Sequence, residues 1–174
     1  IPNGWRTPGT IHEKAKKYGP SRRGFTMLAH PPSKNAGLYK LIGGRPVTEI
    51  AFELPSLRYE KIDAGRKRVF GFTSCTPLTE TETEVTQVFF WNIGWAGLLR
   101  PLLQPIARIF LGQDRRVVTL QREGLKHDPR LMLIRDADVP AMWYFRIKKE
   151  WISAQAEGRA FVNPVGETTL RWRS

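Results

Sequence analysis

The sequence predicts an α+β fold in which an antiparallel sheet packs on a long C-terminal helix. Three observations carry this reading. Between Pro46 and Ile93 the apolar residues recur with strand period; after Gly97 the period becomes helical; and Trp143, Ile147, Trp151 and Ala154 form an apolar stripe over Arg146, Lys148 and Lys149. With 174 residues and 41% hydrophobic content, the chain is long enough for one compact domain and one core.

The elements follow in order. Residues 1–45 are rich in Gly, Pro and basic groups, with Pro31-Pro32 and Gly43-Gly44 as breakers, and predict a loop-rich basic segment with little regular structure. It is expected to wrap the domain or lie near a site entrance. Residues 46–174 form the body of the domain. Extended runs are expected from Val47 to Leu54, Leu57 to Ile62, Arg68 to Cys75 and Glu84 to Ile93. In the last run Val85, Gln87, Phe89, Trp91 and Ile93 alternate with Glu84, Thr86, Val88, Phe90 and Asn92. Asp63-Ala64-Gly65 and the polar stretch Thr79 to Thr83 separate the runs as hairpin loops, so the sheet should meander.

Leu98 to Gln121 is interrupted by Pro101 and Pro105, which predicts one short piece and then a helix from about Pro105 through Gln121. Asp138, with Pro140 in the first turn, is expected to N-cap the final helix. The tail from Gly158 to Ser174, with Phe161, Leu170 and Trp172, fits either a last strand or a subunit contact.

The formal net charge is +12. Residues 1–45 hold nine Lys or Arg against Glu13 alone, whereas residues 46–114 hold seven against eight acidic groups. Such a surface steers acidic partners, although a merely solvated basic face accounts for it equally well. The aromatic residues do not interleave with the basic ones, which makes nucleic acid the weaker reading. No apolar run reaches the roughly 20 residues of a membrane-spanning helix, so a soluble protein is expected and no membrane partner. The single cysteine, Cys75, excludes an internal disulfide framework or a thiolate-rich metal site and fits a cytoplasmic location. It reads as a small apolar strand residue rather than a nucleophile.

One residue stands out. In a helix, Phe110, Asp114, Val117, Val118 and Gln121 share a face with Ile106, and an unpaired carboxylate buried there would cost several kcal/mol. Something cationic should face Asp114. A metal ion is one candidate; Arg115, Arg116 or another basic side chain is a second, and a half-exposed, solvated carboxylate is a third.

Three segments, in this order, carry a family resemblance. Thr76-Pro77-Leu78-Thr79-Glu80-Thr81-Glu82, running into Thr86 to Trp91, resembles a hairpin of Rieske non-haem iron oxygenase α subunits of the vanillate and dicamba O-demethylase type. Asp114 to Gln121 is similar to that family's iron-ligand helix, and Asp138 to Arg146 resembles the start of its final helix. The likeness covers roughly the last two thirds of the chain, and the order is more specific than any one segment.

The resemblance implies a helix-grip (START/SRPBCC-like) fold, with residues 46–174 the C-terminal part of an oxygenase catalytic domain. It implies Asp114 as the carboxylate ligand of a mononuclear Fe(II) and a cavity whose walls select an aromatic or alicyclic substrate. Phe110 is the expected wall residue, with Ile106, Phe89 and Trp91 beside it and Asn92 as a polar contact. Phe90 and Trp95 are placed to line the same cavity. Activity would be O₂-dependent hydroxylation or O-demethylation, with a ferredoxin or reductase as electron donor and a homotrimer as the assembly.

The departures bear on the same expectation. The family's Cys-x-His…Cys-x-x-His [2Fe-2S] Rieske cluster motif and its His-x-x-x-x-His pair have no counterpart here, since His12, His30 and His127 lie far apart. The chain starts at Ile1, and the expectation is that both ligand histidines and the cluster domain precede it, so the isolated 174 residues should be inactive. No residue matches the family's bridging Asp. The alternative is a non-catalytic helix-grip domain that holds a hydrophobic small molecule by burial alone.

Overall fold

The structure is a computed structural model that describes residues 13–31, 44–130, 132–134 and 136–173; of the side chains in these ranges, those of Ile106, Phe110 and Asp114 are among the ones outside the description. Backbone contacts divide the chain into two compact units, one running to Phe90 and resuming at Leu133, the other Trp91–Met132.

The first unit is α+β. Its strands are β1 (Glu13–Pro20), β2 (Gly24–His30), β3 (Val47–Glu53), β4 (Leu57–Ala64), β5 (Lys67–Pro77), β6 (Thr83–Trp91) and β7 (Thr168–Arg173). They form one sheet in the order β6-β5-β4-β3-β2-β1-β7. Strands β1 to β6 therefore meander, each beside its sequence neighbour, and β7 returns to pair antiparallel with β1, Lys16 opposite Leu170. The tail is thus a strand.

Strands β3 to β6 coincide closely with the four predicted runs. Their turns are chemically specified. Gly65 takes φ +75°, which suits a residue without Cβ, and its N–H donates to Asp63 Oδ1 at 2.9 Å. Thr79 Oγ1 accepts from the N–H groups of Thr81 and Glu82 in the β5–β6 turn.

The prediction for residues 1–45 is corrected at β1 and β2, which are regular strands. Tyr18 and Phe25 point to one side as core residues, while the basic residues between them are half-buried or exposed. Composition masked this alternation. The remainder of that prediction falls on residues outside the described ones.

The last helix of the chain, called α2 below, spans Val139–Ala156 and lies against β2. Its stripe is as predicted: Trp143, Ile147 and Ala154 are buried and Trp151 is half-buried. Trp143 meets Tyr18 and Phe25 edge-on at centroid distances of 5.4 and 5.3 Å, and Phe25 stacks on Phe52 at 5.1 Å. Leu54, Val165 and Leu170 complete this core. Ile147 is 1% exposed, and burying such a side chain stabilises by about 1.5–3 kcal/mol. Asn163 Nδ2 donates to the carbonyls of Ser21 and Gly24 at 2.7 and 2.8 Å, tying the segment after α2 to the β1–β2 turn.

The second unit carries a 3₁₀ turn, Gly94–Leu99, and the 26-residue helix α1, Arg100–Leu125. The predicted break is not there, and the helix starts earlier and ends later than expected. Pro101 sits in the first turn, where backbone N–H groups have no intrahelical partner, and Pro105 removes one hydrogen bond from a ladder that continues on both sides.

Candidate functional site

The residues singled out in the sequence distribute over both units. Asp114, Phe110 and Ile106 belong to α1, and their side chains lie outside the described residues. On the same helix Val117, Val118 and Gln121, expected to share a face with Asp114, are exposed, the two valines at 64% and 62%. Asn92, Trp91 and Trp95 are exposed residues of the second unit.

Phe89 and Phe90, in β6, take opposite faces of the sheet. A Cβ built on Gly71 would approach the Phe89 ring at 3.1 Å, so Phe89 lies over a gap that glycine leaves in β5, on the face that also carries Glu60. Phe90 packs with Phe70 on the other face at 6.2 Å, where Tyr59 and Phe72 extend the aromatic row. Both rings remain partly in solvent, Phe90 at 58% exposure.

The face of the sheet that meets α2 carries the polar groups relevant to a site. Arg58 Nη2 and Glu60 Oε2, two apart on β4, form a part-buried ion pair at 2.8 Å. His30, opposite Thr48 across β2 and β3, has its Nδ1 2.9 Å from the Leu28 carbonyl, which requires the proton on Nδ1. Burial lowers the His30 pKa; the bond to Leu28 opposes this, nearby Lys16 adds to it, and Glu60 opposes it. Thr48 Oγ1 is buried with no hydrogen-bond partner among the described residues.

A cavity of about 260 Å³ opens on this face where α2 passes the β3–β4 turn. Phe25, Phe52 and Leu54 wall it from the β2–β3 side, Arg58, Thr73 and Cys75 from β4 and β5, and Tyr144 and Ile147 from α2. Its surface is almost wholly apolar. Phe89, expected on a cavity wall, is not among the described residues that line this one. Sequence reasoning missed these wall residues because three of the contributing segments are distant in the chain. The alternation of Phe25 with Met27 was the one local signal that could have marked β2 as a wall.

Among the described residues no three His, Cys, Asp or Glu side chains group as a metal site would need. The resemblance implies one iron ligand from this chain, Asp114, whose side chain lies outside the described residues. No family model matches the chain, and neither a curated protein nor a solved structure is similar to it.

Proposed function

We propose that this chain is the C-terminal part of the catalytic domain of a Rieske-type non-haem iron oxygenase, an oxidoreductase acting on an aromatic or alicyclic substrate. The observation that supports this reading is the order of the three resembling segments on regular elements. The Thr76 to Glu82 run turns between β5 and β6, Asp114 falls in the second half of α1, and Asp138 immediately precedes α2. Within the proposal the sheet and α2 are a helix-grip fold, and Asp114 is the one iron ligand this chain supplies. Two histidines and a [2Fe-2S] cluster come from polypeptide outside these 174 residues. A reductase or ferredoxin delivers electrons to a homotrimer in the cytoplasm. Bound iron would supply O₂ activation; what Asp114 itself contributes is a negative charge fixed on a helix.

The test is metal analysis of the natural polypeptide that contains this chain. The proposal expects one mononuclear iron beyond the two of a cluster, and expects Asp114→Ala to lose that iron while retaining the cluster. A natural polypeptide that binds no iron contradicts it. A second reading, a binding domain without iron, is favoured by one observation, the apolar cavity beneath α2.

A further inference from the structure

We propose that the cavity under α2 is a binding site for a compact, uncharged apolar molecule of about single-ring size, independent of iron. The cavity is open to solvent on one side, and its volume, about 260 Å³, exceeds the roughly 150 Å³ of an enclosed apolar cavity that binds benzene.

Four of the polar residues around the cavity bond to protein. The Ser56 hydroxyl donates to the Cys75 carbonyl and the Tyr144 hydroxyl to the Pro55 carbonyl. Glu53 Oε2 accepts from the Arg23 N–H at 2.9 Å, and Arg58 is held by Glu60 at 2.8 Å. The Arg23 guanidinium is turned onto the Trp151 ring, 5.2 Å from its centroid, and Trp151 is not a wall residue. A ligand ammonium entering this space would give up its water against an almost wholly apolar wall and beside the Arg23 guanidinium, whose Nε is buried without a hydrogen-bond partner among the described residues. The site therefore disfavours a cation.

Cys75, the single cysteine of the chain, forms part of the wall and provides a reporter that does not depend on oxygenase activity. The probes are toluene and its cationic counterpart benzylamine. The two readouts are the thermal midpoint and the rate of Cys75 alkylation by N-ethylmaleimide, followed by peptide mass mapping. Saturating toluene is expected to raise the midpoint and slow alkylation by about fivefold or more, whereas benzylamine at equal concentration does neither. Thr73→Leu, which adds bulk to the wall from β5, is expected to abolish the toluene shift.

Equal protection by benzylamine overturns the proposal, and so does a toluene shift that survives in Thr73→Leu. Absence of any toluene effect on wild-type Cys75 overturns it even where the variant does not fold. Failure of the iron reading leaves all these outcomes unchanged, since none requires metal.

Discussion

Asp138 and Ile134 hold each other by two hydrogen bonds. The Ile134 N–H donates to Asp138 Oδ2 at 2.8 Å, and the Asp138 N–H donates to the Ile134 carbonyl at 2.9 Å. Asp138 is the N-cap of α2 as expected, its carbonyl accepting from the Met142 N–H at 3.1 Å, but its carboxylate reaches back to the preceding loop and makes no cap bond to the helix. The charge still sits at the positive end of the helix dipole. Asp138→Ala is expected to cost about 0.5–2 kcal/mol in urea unfolding, and Asp138→Asn, which keeps an acceptor oxygen, distinctly less. Equal loss in both variants would assign the effect to charge rather than to the loop bond.

Gly24 and Gly65 are needed for different reasons. A Cβ on Gly24 would collide with the backbone of Phe52 and Glu53 in β3, where neither strand can retreat without breaking the pairing. A Cβ on Gly65 meets nothing within 4 Å and is opposed only by φ +75°. Gly65→Ala is expected to cost about 1–2 kcal/mol. Gly24→Ala should cost clearly more or abolish folded protein, as read by circular dichroism and chemical denaturation of the two variants side by side.

Ile147 fixes α2 to the sheet. Ile147→Val removes one methyl and is expected to cost about 0.5–1.5 kcal/mol, and Ile147→Ala about 2–5 kcal/mol. A surface substitution of Ile152, 57% exposed on the same helix, should stay within about 0.5 kcal/mol. Denaturant midpoints of the three variants check the ranking.

Much of this architecture was legible from local pattern. The four central strands, the α2 stripe and the Asp63 turn are encoded in short windows, where period and turn chemistry decide the outcome. The strand β1 was not legible because Lys, Gly and Pro make up five of its eight residues, and β2, which is mostly apolar, because the composition of residues 1–45 as a whole hid the spacing of Phe25 and Met27. The continuity of α1 through Pro105 depends on the whole helix and not on the proline's own preference. Of the expected site, the resembling motifs could be read from sequence, but the cavity could not: Leu54, Cys75 and Tyr144 meet only after the sheet and helix have assembled.

Stability toward acid should depend on Glu150. Arg159 bonds its carboxylate and holds the pKa below the ordinary 4.5, chiefly through that hydrogen bond. A depressed folded-state pKa means that the pair's contribution is present above the unfolded value and is lost as pH falls below about 4.5 toward the lower folded value. Glu150→Gln should therefore flatten the stability profile in that acid window and leave its slope above pH 6 unchanged. A profile identical to wild type throughout would show that the pair does not couple to folding.

The central claim rests on Asp114, and the most direct measurement is electron paramagnetic resonance of the natural polypeptide containing this chain, reduced and exposed to nitric oxide. The account predicts the high-spin signal of an iron–nitrosyl adduct at a mononuclear iron, present in wild type and absent in Asp114→Ala, with the signal of a reduced Rieske cluster intact in both. An iron–nitrosyl signal of equal intensity in Asp114→Ala, or no mononuclear iron in wild type, would contradict it.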